Sequence, residues 1–325
     1  MQVAVVGLGS MGKRRIRLLQ KMDRDIGIWG VDTDESRCKE TFDLYGVQIS
    51  NRLEEVLTKE EIDVVFVCTS PVGHNAIIHT ALVHNCHVFT EINLISDGYE
   101  ENIKLAKKKG KKIFLSSTFL YRDEIKFIRN ELSKYSGEVI NYTYHVGQYL
   151  PDWHPWESYK DFFVGEKVTN ACREIFAIDL PWMIKTFGEI KNVQVTKHKS
   201  TNLEIDYPDT YMVLLEHAGG NMGTFIVDVV SRKPVRSLEI YSERLYMSWD
   251  GTPNGLNRYN IEKKENENIQ LYQEIDKRKE YCDFVVENEY MNEIENFFSV
   301  LEGEAEIYTM QDDIETLRWI DEIEK

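Results

Sequence analysis

Met1-Gln2-Val3-Ala4-Val5-Val6-Gly7-Leu8-Gly9-Ser10-Met11-Gly12 opens the chain, and its reading decides the fold. Val3–Val6 is a short run of β-formers. Ile16, Leu18, Leu19 and Met22 then recur at helical spacing. Strand, glycine turn and helix in that order give a G-x-G-x-x-G its meaning as a dinucleotide-binding turn. Gly7 allows the tight turn, Gly9 lets backbone approach a pyrophosphate, and Gly12 lets the helix pack close to the strand. Ser10 and Met11 begin that helix, whose N-terminal N–H groups and positive dipole end suit phosphate oxygens. Further on, Ile28-Trp29-Gly30-Val31 ends in Asp32. A carboxylate at the end of the second strand accepts hydrogen bonds from the adenosine ribose hydroxyls and repels a 2′-phosphate, so NAD is expected rather than NADP. Lys13, Arg14 and Arg15 soften that preference, because they are within reach of a phosphate.

The chain has 325 residues, enough for two domains with sizeable cores. Its 42% hydrophobic and 29% charged residues match an ordinary soluble globular chain. A net charge of −16 argues against nucleic acid or an anionic membrane surface as partner. No apolar stretch approaches the ~20 residues of a membrane span. The N-terminus enters the first strand directly, so no signal peptide is expected. Cys38, Cys68, Cys86, Cys172 and Cys282 are odd in number and scattered, which fits reduced thiols and a cytoplasmic location. His84-Asn85-Cys86-His87 lies where a helix hands over to a strand, and alternation sends its side chains opposite ways. No metal site is expected.

Residues 1–118 alternate strand and helix. Strands are expected at 2–6, 26–31, 47–49, 62–68, 86–90 and 112–116, with helices at 11–22, 35–45, 52–58, 72–84 and 98–109. That rhythm predicts an α/β doubly wound parallel sheet, the Rossmann arrangement. Ligands bind beyond the carboxyl ends of such strands, so 7–12, 32–37, 69–74 and 91–94 are expected to face the cofactor. From residue 119 the rhythm changes. A helix over 122–135 leads to a strand at 139–146 and an aromatic-rich loop at 148–160. A helix follows at 173–187, then long strands at 191–199, 208–217, 221–230 and 235–249. Residues 261–280 read as an exposed loop and helix start, and helices at 276–302 and 309–323 close the chain. This predicts a second α+β domain, 119–325, on an open and mainly antiparallel sheet. Neither alternating set within 221–230 is cleanly polar, so both sheet faces are expected to be covered, the second by another copy of the chain.

With these elements placed, the chain resembles the Gfo/Idh/MocA family of oxidoreductases, which includes glucose–fructose oxidoreductase and inositol dehydrogenase. Four features carry the resemblance: the turn at 7–12 with Asp32; Thr69-Ser70-Pro71-Val72-Gly73-His74, similar to the family's T-x-P-x-x-x-H with one residue shifted; Val88-Phe89-Thr90-Glu91-Ile92-Asn93-Leu94, similar to its V-x-x-E-K-P-L; and Asp179 through Gly188, similar to its D-x-x-x-W-L-x-x-x-G. The resemblance implies that Thr69, Ser70, Pro71, His74, Glu91 and Asn93 join Gly7, Gly9, Ser10, Met11, Gly12 and Asp32 around NAD. It further implies homodimers or homotetramers and a carbohydrate-like substrate. The departures are as informative. The family's lysine is Ile92 here, its proline is Asn93, and its D-x-x-x-H pair falls on Cys172 and Phe176. Isoleucine and phenylalanine move no proton.

The loop 148–160 supplies the replacement candidates. His154, Tyr149 and Lys160 are titratable, and Trp153 and Trp156 offer flat apolar surface to a sugar ring, or else anchor the loop on the core. His154 suits neutral pH best, since an unperturbed imidazole titrates near ~6.5. At the start of the next helix, Arg173 is a bidentate anion donor or half of an internal ion pair, and Glu174 is a proton acceptor, a hydroxyl ligand or a complement to the helix N-terminus; Asp179 is the further substrate ligand. The expectation is an NAD(P)-dependent oxidoreductase acting on the CH–OH of a sugar, an inositol or a nucleotide sugar. A catalytically silent NAD-binding sensor, and a non-redox enzyme with tightly held NAD, remain the alternatives.

Overall fold

The computed structural model describes residues 1–154, 157–278 and 284–325. The chain divides into two compact units, 1–117 with 293–314 and 118–292 with 315–325. In the first, β1 (Gln2–Val6), β2 (Gly27–Val31), β3 (Gln48–Ser50), β4 (Val64–Val67), β5 (His87–Thr90) and β6 (Ile113–Leu115) alternate with α1 (Ser10–Lys21), α2 (Glu35–Tyr45), α3 (Leu53–Lys59), α4 (His74–Val83) and α5 (Tyr99–Lys109). The strands are all parallel, in the order β3-β2-β1-β4-β5-β6. Every residue of β4 is buried, as a strand covered on both faces requires. Chain order reverses between β1 and β4, which opens a ligand crevice beyond their carboxyl ends.

The second domain is expected over all of 119–325. Residues 293–314 instead pack with the first. The Phe297 ring meets Phe66, Phe89 and Phe114 at 5.5–5.6 Å between centroids. Beside it lies a buried ion triad. Arg15, fully buried on α1, bonds Glu91 at 2.6 Å and Glu293 at 2.7 Å, and its guanidinium lies over the Phe89 ring. The Ser117 N–H donates to Glu293 at 2.7 Å.

The second unit holds α6 (Asp123–Leu132), β7 (Asn141–Gly147), α7 (Ala171–Phe187), β8 (Ile190–His198), β9 (Thr210–His217), β10 (Met222–Asp228), β11 (Val235–Tyr241), β12 (Tyr246–Trp249), β13 (Asn257–Asn260) and β14 (Glu265–Asn268). Its eight-stranded sheet has the order β14-β13-β12-β11-β7-β10-β9-β8. Only the β7–β10 pair is parallel. The inward set of β7 and β10 meets α7: Tyr142 stacks on Phe187 at 4.0 Å, and Phe176 sets its edge against Phe225. The outward set leaves Met212, Leu214 and Met222 half exposed around Thr224 and Ile226.

Three expectations are corrected. The strand read at 235–249 is a hairpin, turned at Ser242–Leu245. Within the stretch read as loop, β14 pairs with β13, and Arg258 bonds Glu267 at 3.0 Å across them. The helix read from 276 begins at Glu287 as α8 (Glu287–Leu301), followed by α9 (Met310–Glu324); residues 279–283 lie outside the described residues.

The triad generates a stability prediction. Arg15→Met leaves two carboxylates buried with no cation, and breaking a buried pair costs about 3–5 kcal/mol. Urea unfolding should show a loss of that order, and a loss under about 1 kcal/mol would contradict the triad's role.

Candidate functional site

The first unit presents the turn between β1 and α1. Gly7 has a φ of +93°, and a Cβ there would lie 2.6 Å from the Cys68 carbonyl oxygen. A Cβ on Gly12 would lie 1.8 Å from the Gly7 oxygen. Gly9 differs: its φ is −73°, and a Cβ there would meet nothing within 4 Å. Open space therefore stands before the N-terminus of α1, whose first turn carries no acid. That is the cradle a pyrophosphate needs. At the end of β2 the Asp32 carboxylate accepts from the N–H of Leu8 at 2.7 Å and of Asp34 at 2.9 Å. These bonds hold it beside the turn, where it suits ribose hydroxyls.

The three basic residues expected to reach a phosphate are otherwise engaged. Lys13 pairs with Glu40 at 2.6 Å, Arg14 is buried against Met11, and Arg15 belongs to the ion triad. The cation nearest the Asp32 carboxylate is Arg37, at 3.9 Å and half exposed. Sequence reading placed 32–37 at the cofactor but did not single Arg37 out.

After β4, Thr69 and Ser70 lead into a single turn that starts at Pro71. His74 is buried and ties two loops together, meeting Thr69 O at 2.9 Å and Asn93 Oδ1 at 2.6 Å. Burial lowers its pKa below the usual imidazole range. His74, Glu91 and Asn93, expected to contact the cofactor, are 2%, 8% and 3% exposed. Glu91 is spent on Arg15. These three shape the loops from behind rather than face a ligand.

The second unit carries the loop and α7. Tyr149 N–H donates to Ser231 O at 2.7 Å and Leu150 N–H to Val229 O at 3.0 Å, so the loop begins alongside the end of β10. Trp153 donates its indole N–H to Gln148 O, an anchoring bond. Trp156 lies outside the described residues. His154 Nδ1 meets Glu157 at 2.7 Å, and its ring stacks on Phe162. Lys160 pairs with Glu204 at the surface.

On α7 the expected roles divide. Arg173 is buried and bonds Asp321 at 2.7 Å and also Glu324. Asp179 is fully buried and accepts from Tyr144, Trp182 and Arg236 at 2.7, 2.8 and 2.6 Å. Asp179, expected to bind substrate, is instead half of a buried ion pair with Arg236, and Arg173 takes the ion-pair alternative rather than the anion-donor one. Cys172 and Phe176 are fully buried. Glu174, one position outside that buried face, is half-buried, and no donor among the described residues bonds its carboxyl. Burial pushes its pKa up to about 7. Chemically it is a proton carrier poised at neutral pH.

Comparison with known proteins places this geometry. The chain is 26% identical to human biliverdin reductase A over 212 residues, 65% of this chain and 64% of that protein, so the match spans just under two thirds of the relative. Two solved structures share the fold across both units: GenD2 from gentamicin A biosynthesis in complex with NAD (TM-score 0.79, 18% identity, 99% of this chain and 92% of that one), and UDP-N-acetylglucosamine 3-dehydrogenase GnnA from Acidithiobacillus ferrooxidans (TM-score 0.78, 16% identity, 99% and 96%). The model of the Gfo/Idh/MocA oxidoreductase family, NAD-binding Rossmann fold, matches residues 1–117. That match covers just over a third of the chain and shows an NAD-binding Rossmann domain of this oxidoreductase type over residues 1–117.

Proposed function

We propose that the protein is an NAD-linked dehydrogenase of a polyhydroxylated substrate, a sugar, an inositol or a nucleotide sugar, with Glu174 as its proton carrier. Bound NAD supplies the hydride acceptor or donor. The observation that carries the reading is the Glu174 carboxyl, half-buried, without a bonded donor among the described residues and raised to about 7. A carbinol carbon cannot lose hydride efficiently while its hydroxyl keeps the proton. The family's lysine and histidine positions are Ile92 and Phe176 here, and Phe176 is wholly in the core. Glu174 stands on the same turn of α7 and takes that proton on a carboxylate oxygen. His154, bonded to Glu157 on its own loop, is the competing carrier.

For the cofactor, the N–H groups of Met11 and Gly12 hold the pyrophosphate and the Asp32 carboxylate holds the ribose. Arg37 is the side chain through which a 2′-phosphate would be tolerated. Self-association through the face bearing Met212, Leu214 and Met222 belongs to the same reading, and sedimentation of the purified chain tests it.

A second reading has an observation of its own. The likeness to human biliverdin reductase A, with apolar residues at both family proton positions, favours hydride delivery from the reduced cofactor to an acceptor other than a carbonyl, with the proton that completes the reduction drawn from water. A panel of sugars, inositols, sugar nucleotides and biliverdin, scored by the 340 nm absorbance of the cofactor, separates the two.

Calorimetric titration should give tighter binding of NAD than of NADP. Asp32→Ala should weaken NAD by about 1.5–3 kcal/mol, the range of a hydrogen bond to a charged group. Equal or tighter binding of NADP to the unmodified protein would overturn the assignment. In the oxidation direction the carboxylate form is the active one, so the rate should rise with pH through about 7. Glu174→Gln should lower turnover by ~10²–10⁴-fold and remove that rise, with NAD affinity unchanged. A larger loss in His154→Ala, with the rise intact in Glu174→Gln, would transfer the role to His154. The raised pKa also acts on stability. Between the ordinary carboxylate pKa and about 7 the folded protein holds the extra proton, so stability falls as pH rises through that window, and Glu174→Gln should flatten the fall.

A further inference from the structure

The segment after β10 carries a cation that no carboxylate among the described residues compensates. The turn that follows β10 is rigid: the Asp228 carboxylate accepts from the N–H of Val230 at 2.9 Å and of Ser231 at 2.8 Å, from the Ser231 hydroxyl at 3.0 Å, and bonds the His145 imidazole at 2.7 Å. Asp228 is thereby spent and buried. Arg232, which follows Ser231, is exposed, and its guanidinium carbon lies 3.5 Å from the centroid of the Tyr149 ring. Tyr149 is held there by its backbone bond to Ser231. No carboxylate among the described residues pairs with Arg232, nor with its exposed neighbour Lys233, in a chain with 55 acidic residues against 39 basic ones.

The stacking geometry matters chemically. A guanidinium lying on an aromatic face is fixed in one plane, and its N–H donors point outward along the edge. Little side-chain freedom is then lost when a planar oxyanion docks, and two parallel bonds can form. The ring of Tyr149 serves as a platform, which gives that residue a role other than the acid/base one expected from sequence. We infer that Arg232, stacked on Tyr149 and flanked by Lys233, is a substrate-binding residue that recognises an oxyanion, and that the substrate therefore carries a carboxylate or phosphoryl group besides its reacting carbon. The inference rests on the proposed dehydrogenase function and on the expectation that the loop 148–160 supplies groups to its substrate.

The test uses the full chain saturated with NAD, so that the cofactor's own phosphate cradle is filled. Inorganic pyrophosphate is the phosphoryl probe and malonate the carboxylate probe, each titrated by calorimetry at low ionic strength. At least one should bind. Arg232→Ala should weaken it about tenfold or more, and Arg232→Lys should restore only part, because the charge returns without the fork. Tyr149→Ala should weaken it as well. No binding of either probe, or equal affinity in the unmodified protein and Arg232→Ala, would overturn the inference. The same preparations run through the substrate panel separate the two readings. A probe bound through Arg232 with no turnover of any compound upholds the anion site and sinks the dehydrogenase reading. Turnover of neutral polyols with KM unchanged by Arg232→Ala sinks the anion site and leaves the dehydrogenase reading in place.

Discussion

Van der Waals exclusion at one turn governs the first unit. With a Cβ on Gly12 only 1.8 Å from the Gly7 oxygen, and one on Gly7 2.6 Å from the Cys68 oxygen, any other residue at either place would push α1 off the sheet. Because α1 lies so close, Arg15 projects into the interior rather than into water. A buried guanidinium needs carboxylates, and Glu91 and Glu293 supply them. Glu91 thereby fixes the loop after β5, and Glu293 brings the segment 293–314 into this unit. A turn built for a phosphate thus also determines which part of the C-terminal sequence completes the domain.

The parts of the fold legible in the sequence are those whose cause is local. Runs such as Val64-Val65-Phe66-Val67 declare buried strands without knowledge of their neighbours. The hairpin of β13 and β14 does not declare itself. Asn257–Asn260 and Glu265–Asn268 carry no apolar alternation, and their pairing is supported by side-chain bonds such as Arg258 to Glu267. The same distinction runs through the site. Gly7, Gly9, Gly12 and Asp32 were readable because their spacing is the signal. Asp179 reads as a ligand, and Arg173 as either a ligand or an ion pair, because nothing in the sequence reveals that Arg236, Asp321 and Glu324 fold against them.

Helix α7 carries the proposed proton carrier next to two positions that packing has claimed. The positions resembling the family's D-x-x-x-H pair are Cys172 and Phe176, both inside the core, where apolar side chains stabilise the sheet and polar ones would need partners. Glu174 is excluded from that packing and so keeps a carboxyl that burial alone tunes. Beyond the end of β10, Tyr149 and Arg232 illustrate the complementary case, a cation over an aromatic ring that no carboxylate among the described residues pairs.

The most direct test of the account is Gly9→Ala. Its φ suits alanine, and the added Cβ would meet no protein atom within 4 Å, so the free protein should keep its unfolding temperature. The same methyl would occupy the space assigned to the pyrophosphate, so calorimetry should show NAD binding lost or weakened by at least about tenfold. Unchanged NAD affinity in a folded Gly9→Ala protein would contradict the placement of the cofactor at this turn, and with it the functional reading built upon it.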